Sequence, residues 1–304
     1  MIYSLHEVAI ETLAKLDWNG FVGSYLEPQR SIITEYYRNF VEPTQWTWDD
    51  CIAAYYTHWF KNEQSRIELF QRLGGVDFSH VVRTYAKALE TVLPWSSNID
   101  VFIILGVGTS NAFQFMRDGK PMVGVAIEAW GDKFYGVDMP IEDLPMWIAH
   151  EMGHALRYQN PENPLAIEFH SNGFHLEQAT RRLPLYEFLV DDGLAVFASK
   201  IAMPNKEVHQ VLGYTAEQYS WCVQHERKVY DHLREIWQEC PGPELYWEYF
   251  GGSTKGLPDR IGYYFGMRMV DSMIAKERDL PIQDLFLLPA KDFVDSYERL
   301  LNQA

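Results

Sequence analysis

The sequence has few cysteines, few basic residues and no long apolar run, and each shortage excludes a class of protein. Three cysteines, Cys51, Cys222 and Cys240, are spaced as neither a disulfide framework nor a metal knuckle, so we expect thiols in a reducing compartment. Lys and Arg number 26 against 42 Asp and Glu, and this net charge of −16 disfavours nucleic-acid binding. No segment has the pattern of a membrane span or a signal peptide. We therefore expect a cytoplasmic protein with neither a membrane nor a nucleic-acid partner.

The remaining composition is that of a globular chain, and its first part has helical periodicity. The 304 residues are 47% hydrophobic and 22% charged, enough for one large or two ordinary domains. We predict a helical N-terminal region over residues 1–95 and a second domain over residues 96–304. The predicted N-terminal helices cover residues 2–16, 28–40 (closed by Pro43), 50–56 after the capping residues Thr47 and Asp50, 63–73 and 77–93.

Short apolar runs predict a small sheet in front of further helices. Residues 101–105 and 122–127 are expected to be buried strands. The glycine-rich segment 106–110 lacks the Gly-Lys-Ser/Thr of a phosphate loop, and we interpret it as a turn. The helices predicted after the sheet cover residues 144–156, 185–200, 217–238, 263–275 and 290–301.

The sequence His150-Glu151-Met152-Gly153-His154 is the clearest chemical signal. On a helix the two histidines are one turn apart and share a face, where both imidazoles can bind one zinc ion. Glu151 then lies beside the metal, where a carboxylate can deprotonate a zinc-bound water. The flanking residues 144–156 carry no other charge, which favours a metal because buried ionisable groups need a partner. The alternative is a pair of hydrogen-bonded core histidines with an incidental glutamate.

A catalytic zinc usually has a third protein ligand. Arg157 and Asn160 occupy the positions where a metzincin has its glycine and third histidine, which excludes that class. On the helix predicted at residues 185–200, Asp192 lies in an apolar stripe and Asp191 on a more polar face, so we predict Asp192 as the ligand and Asp191 as a residue that orients a ligand. Both aspartates could instead be exposed or cap a helix. The remaining candidates for the ligand are Glu168, His170, His175 and Glu187.

Three segments carry a resemblance to a known family: residues 150–154, Val190-Asp191-Asp192-Gly193-Leu194-Ala195, and the Gly-Tyr-Tyr-Phe-Gly run that begins at Gly262. Together they resemble a bacterial family of predicted zinc-dependent proteases of the gluzincin group, over roughly residues 100 to 300. That family usually has Glu where this chain has Asp192. Since Asp is shorter, its helix must come closer to the metal, and Gly153 and Gly193 would allow a close approach of helices.

The resemblance implies an α+β, mainly helical fold, in which a zincin-like catalytic domain packs a small sheet on the His-Glu-x-x-His helix. It implies a zinc-dependent metallopeptidase acting on a peptide or protein substrate, with Glu151 as the general base. Residues 122–128 would hold the substrate backbone by strand addition. Tyr263 and Arg268 are candidates to stabilise the oxyanion, although the pattern slightly favours a core position for Tyr263 and a surface position for Arg268.

Two other functions fit the same residues. The zinc could hydrolyse a non-peptide amide or ester, since the motif specifies water activation and not the bond that is cleaved. Alternatively the metal could stabilise a non-catalytic binding or regulatory protein, in which Glu151 has no evident purpose. The sequence predicts no oligomeric state.

Overall fold

The computed structural model describes residues 1–38, 46–73, 75–93, 98–134, 137–172, 175–252 and 256–303, which are mainly helical with a small mixed sheet. The chain divides into two compact units, Met1–Ile148 and Ala149–Ala304. The domain boundary predicted near residue 95 stays a prediction, and Pro94 and Trp95 themselves lie outside the described residues, as does Pro43. In the described part of the chain, no helix combines the length and the apolar character needed to cross a membrane.

The first unit combines helices with strands. Its helices are α1 (His6–Ala14), α2 (Trp18–Phe21), α3 (Arg30–Arg38), α4 (Trp48–Tyr55), α5 (Glu63–Leu73) and α6 (Phe78–Val92). Its strands are β1 (Ile2–Ser4), β2 (Val101–Ile104), β3 (Ala112–Arg117), β4 (Lys120–Ala126), β5 (Asp132–Phe134) and β6 (Val137–Met139). The predicted cap of α4 is confirmed, because the Thr47 side chain accepts from the Asp50 amide while the Asp50 carboxylate accepts from the Thr47 amide.

A four-stranded sheet of order β1-β2-β4-β3 is formed by the first four strands, and β5 and β6 make a separate antiparallel pair. β1 and β4 flank β2 in parallel, with Ile2 opposite Val101 and Val101 opposite Val123. The prediction of a helix from residue 2 is therefore wrong at its start. Residues 2–4 are extended because the edge of β2 offers them backbone hydrogen bonds, a partner far away in sequence.

The glycine-rich segment after β2 is a turn, as predicted, and it encloses a buried carboxylate. Glu128 accepts hydrogen bonds from the amides of Gly106 (2.7 Å) and Gly108 (3.0 Å) and from the Tyr36 hydroxyl (3.1 Å). A Cβ atom at Gly106 would collide with the side chains of Glu128 and Tyr36. The amides that could cradle an external anion in such a loop are therefore satisfied by a side chain of the same unit.

The second unit is helical. Helix α7 (Leu144–Arg157) begins in the first unit and enters it, and the following helices are α8 (Pro164–Asn172), α9 (Leu176–Thr180), α10 (Leu185–Ala202), α11 (Val208–Val211), α12 (Ala216–Ile236), α13 (Gly242–Phe250), α14 (Ile261–Lys276), α15 (Ile282–Leu285) and α16 (Ala290–Gln303). The five helices predicted after the sheet are all present. Helix α10 is central, since residues 188–196 are all buried.

Glycines allow α10 and α14 to pack backbone to backbone. A Cβ atom at Gly193 would overlap the backbone of Gly266, and one at Gly266 would overlap the carbonyl oxygen of Leu189. On the other side of α14, the Glu226 carboxylate of α12 accepts hydrogen bonds from Tyr264, Arg268 and the α16 residue Tyr297. Helix α10, which carries Asp191 and Asp192, therefore packs on a helix that is itself tied to α12 and α16 by hydrogen bonds.

Candidate metal centre

Helix α7 places both histidines of the motif on one buried face. His150 and His154 are one turn apart, with their Nε2 atoms 3.3 Å from each other. Only 6% of His150 and 5% of His154 is exposed. Two imidazole nitrogens that converge in an apolar interior are the donors that zinc accepts most readily after thiolates.

Helix α10 brings a carboxylate oxygen next to the two histidines. Asp192 Oδ1 lies 3.7 Å from His150 Nε2 and 3.7 Å from His154 Nε2. Tetrahedral zinc at about 2.1 Å from each ligand separates its donor atoms by about 3.4 Å, so the observed spacing fits. The three ligand atoms lie within 4.8 Å of one another, and no other His, Cys, Asp or Glu joins this group among the described residues. The donor set of two imidazoles and one carboxylate therefore suits zinc.

The electrostatics of His150 and Asp192 suit a cation between them. Burial, with a further contribution from His154, lowers the pKa of His150 to about 4, so this imidazole is neutral near pH 7. Burial raises the pKa of Asp192 to about 8, so its carboxyl group resists ionisation when no cation is near. A divalent cation would remove that resistance by stabilising the carboxylate, as bound metals invert the local ionisation preferences.

Asp191 orients His154. Its Oδ2 atom lies 2.8 Å from His154 Nδ1 and accepts a hydrogen bond of 2.7 Å from the Tyr158 hydroxyl. Burial acts to lower the pKa of His154, but the Asp191 carboxylate outweighs it and raises this pKa to about 9. A carboxylate on Nδ1 directs the Nε2 atom of the same ring to the metal, the usual arrangement around a ligating histidine.

Behind Asp191 lies Arg157, the last residue of α7. None of its surface is exposed. Its Nη2 donates to Glu187 Oε2 at 3.2 Å, and its Nε is 3.4 Å from Asp191 Oδ1. Sequence reasoning noticed Arg157 only as the residue that excludes a metzincin, and missed Tyr158 altogether. The sequence did contain a signal for the contacts of Arg157 with Glu187 and Asp191, since a basic residue at the end of a largely apolar helix needs acidic partners.

Glu151 is buried beside His150, with 7% of its surface exposed. Its Oε2 atom has no hydrogen-bond partner, and burial is the largest cause that raises the pKa of the carboxyl group. The side chain is therefore costly to ionise in the absence of a cation.

The two glycines that were expected to draw α7 and α10 together have separate roles. A Cβ atom at Gly153 would lie 2.7 Å from Ala195 Cα, so Gly153 does bring α7 close to α10. Gly193 instead faces Gly266 on α14. The spacing of a glycine within its own helix cannot say which neighbouring helix it meets.

Tyr263 and Arg268 lie in different surroundings. The Tyr263 ring is 5.6 Å from the His150 ring, between centroids, which places it beside the metal ligands. Arg268 Nε donates to Glu226 Oε1 at 2.8 Å, in the group of side chains that surrounds the Glu226 carboxylate and joins α12, α14 and α16. Of the two oxyanion candidates, Tyr263 thus lies next to His150, while Arg268 links helices and is half-buried rather than on the surface as the pattern favoured.

The other candidates for the third ligand are outside the three-residue group. Glu187 is bound to Arg157, and Glu168 accepts from Arg182 at 2.6 Å. His170 and His175 do not belong to the group either. Cys51 and Cys222 are buried free thiols and Cys240 is an exposed one, so no cysteine competes for the metal.

Comparison with known proteins gives one family. A model of the family described as gliding motility protein GldB matches residues 131–240, about a third of the chain. The matched segment includes His150, His154, Asp191 and Asp192 and ends before α14. No curated protein and no solved structure matches the chain.

This finding corrects the resemblance drawn from the sequence. The segment that contains the His-Glu-x-x-His helix and Asp192 is similar to a family described by gliding motility, and no protease family matches. The assignment to gluzincin metallopeptidases is therefore wrong, as is the function of a zinc peptidase with Glu151 as its base. The motif alone misled because one turn of helix with two histidines specifies metal binding and not the use of the metal.

Proposed function

We propose that this chain is a zinc-binding protein with a motility-related, non-catalytic function. The observation that carries the proposal is the convergence of His150, His154 and Asp192 inside the segment that is similar to the gliding motility family. The convergence of the three side chains supports metal binding, and the similarity of the segment supports the motility-related role. This is the third of the functions that the residues allowed, a binding protein that a metal stabilises.

When bound, zinc would supply a cross-link between two helices. His150 and His154 would hold it from α7 and Asp192 would hold it from α10, while Gly153 lets the two backbones approach. Asp191 and Tyr158 keep the His154 ring in the orientation that binding needs. Because the ligands come from different helices, metal binding stabilises the folded second unit relative to the unfolded chain.

The zincin-like part of the predicted fold is also a proposal. It concerns the combination of a small sheet with the His-Glu-x-x-His helix α7 in one chain, without catalysis. The motif and the sheet that precedes it in sequence support this arrangement. A cytoplasmic location and a peptide or protein as the molecule bound are likewise predictions.

Thermal unfolding tests the structural role of the metal. Zinc should raise the midpoint of the metal-free wild-type protein, and a chelator should reverse the rise. Asp192→Ala should remove the response, whereas His232→Ala, which alters an exposed histidine of α12, should leave it intact. An equal response of wild type and Asp192→Ala would refute the proposed ligand set.

Surface spreading tests the motility-related role. Deletion of the gene from the organism that encodes this chain should impair spreading of the cells on a surface. A gene copy with His232→Ala should restore spreading. The Asp192→Ala gene should fail to restore it although the protein accumulates. Normal spreading of the deletion strain would remove the motility part of the proposal and leave the metal part to be judged by unfolding.

A further inference from the structure

Arg157 is a buried charge close to the candidate metal ligands. It ends α7, three residues after the ligand His154, and its side chain is completely buried. Removing a guanidinium from water is costly unless carboxylates pair with it at close range. Glu187 at 3.2 Å and Asp191 at 3.4 Å provide that pairing from α10.

Asp191 connects this ion pair to the metal ligands. One of its oxygens faces Arg157, and the other lies 2.8 Å from His154 Nδ1 and accepts from Tyr158 at 2.7 Å. A single carboxylate therefore contacts the arginine on one side and the ligand ring on the other. Any movement of Asp191 would turn the imidazole of His154.

Without Arg157, helix α10 would present acidic groups with too few cations around them. Glu187 and Asp191 are one turn apart on the same face, and Asp192 follows directly; all three are buried. Carboxylates at this spacing repel one another, more strongly inside a protein than at its surface. The positive charge of Arg157 pairs with Glu187 and Asp191. It does not pair with Asp192, which therefore remains available to bind the metal.

We propose that Arg157 is the positioning residue of the metal centre. It does not touch the metal; through Asp191 it holds the His154 ring with Nε2 directed at Asp192 and His150. Arginine fits this place because its guanidinium donates a hydrogen bond to Glu187 through Nη2 while its Nε lies within ion-pair distance of Asp191, a spread of charge that a compact lysine ammonium cannot reproduce. The inference rests on the proposed metal site and adds the residue that sets its geometry.

The test separates positioning from simple charge balance. The double variant Arg157→Met with Glu187→Gln removes both the guanidinium and the carboxylate that accepts its hydrogen bond. No unpaired Glu187 charge is then left buried in the fold. Arg182→Met with Glu168→Gln is the control, because it deletes an arginine–glutamate pair of 2.6 Å in the same unit that lies outside the three-residue group. Unfolding of the metal-free proteins shows which variants are folded.

Two readouts then follow on the folded proteins. Zinc affinity is measured by competition with a chelator, and the ligand geometry by the visible absorption of bound Co²⁺. The Arg157 double variant should lose about 10- to 100-fold in zinc affinity and change the Co²⁺ spectrum, as expected when an orienting group is lost. The control should retain the wild-type affinity and spectrum.

Three results would contradict the inference or its premise. A folded Arg157 double variant with wild-type affinity and spectrum overturns the positioning role alone. If that variant does not fold, Arg157→Gln is measured in the same way, and the same result overturns the role. A wild-type protein that binds neither Zn²⁺ nor Co²⁺ overturns the proposed metal site itself.

Discussion

Asp191 and Asp192 are neighbours in sequence but have different tasks. Successive residues of a helix point about 100° apart, so two adjacent carboxylates leave the helix in different directions. Asp192 turns to the Nε2 atoms of both histidines, and Asp191 turns to the Nδ1 side of His154. The sequence predicts this division of roles from the apolar stripe of α10, and the two carboxylates do point to different sides of His154, while the roles themselves stay a prediction.

Substitution of the two aspartates should separate ligand from orienting residue. Asp192→Ala should abolish tight zinc binding, and Asp191→Ala should weaken it by about 10- to 100-fold. Asp192→Glu should also lower affinity, because Gly153 already brings α7 against Ala195 and a longer acid would crowd the metal. Chelator competition measures all three. Equal losses for the Asp191 and Asp192 alanine variants would contradict the division of roles.

Glu151 offers a second test at this scale. Glu151→Gln should keep the zinc, since the side chain is outside the three-residue group. It should also stabilise the metal-free protein more at high pH than at low pH, because burial raises the pKa of the Glu151 carboxyl group and the amide cannot ionise. Glu162→Gln, on the exposed surface, is the control. Zinc analysis and denaturant unfolding check both expectations, and loss of zinc would instead make Glu151 a ligand.

At the scale of the elements, packing of α10 on α14 depends on two glycines that face each other. The change Gly266→Ala places a methyl group against the Leu189 carbonyl oxygen and the Gly193 backbone, which cannot move aside as a side chain can. We expect destabilisation by about 3 kcal/mol or more, as for other overpacked cores. Gly252→Ala, where nothing lies within 4 Å, should be nearly neutral. Similar unfolding midpoints for the two variants would show that the helices are not packed this closely.

The same elements show what sequence patterns could reveal about the fold. Long amphipathic or apolar helices were found because their period is local, and α7, α10, α12, α14 and α16 are all where they were predicted. β1 was missed because its parallel partner β2 is about 100 residues away. β3 was also missed, although Asp118 and Gly119, both at positive φ, form the kind of two-residue turn that joins it to β4.

The site was predictable in part for a similar reason. Spacing along one helix gave His150 and His154, and the apolar stripe of a second helix gave Asp192. Arg157 and Tyr158 could not be placed, since their value depends on which face of α10 lies opposite the end of α7. Nor could the partner of Gly193 be named before the position of α14 was known.

At the scale of the whole molecule, function was the least predictable property. The family match covers residues 131–240 and leaves the helices before it and after it without a counterpart. A net charge of −16 favours a neutral or basic partner over a nucleic acid. The residues establish chemistry that can hold a metal, while the use of that metal depends on what the rest of the chain binds.

The metal content of the purified protein tests the central claim most directly. Elemental analysis after gel filtration should find about one zinc per wild-type chain, almost none in His150→Ala, His154→Ala or Asp192→Ala, and an unchanged amount in His232→Ala. These outcomes follow because three ligands from two helices are needed to retain the ion. A wild-type chain that holds no zinc even after zinc is supplied, or the three variants holding as much as wild type, would contradict the claim.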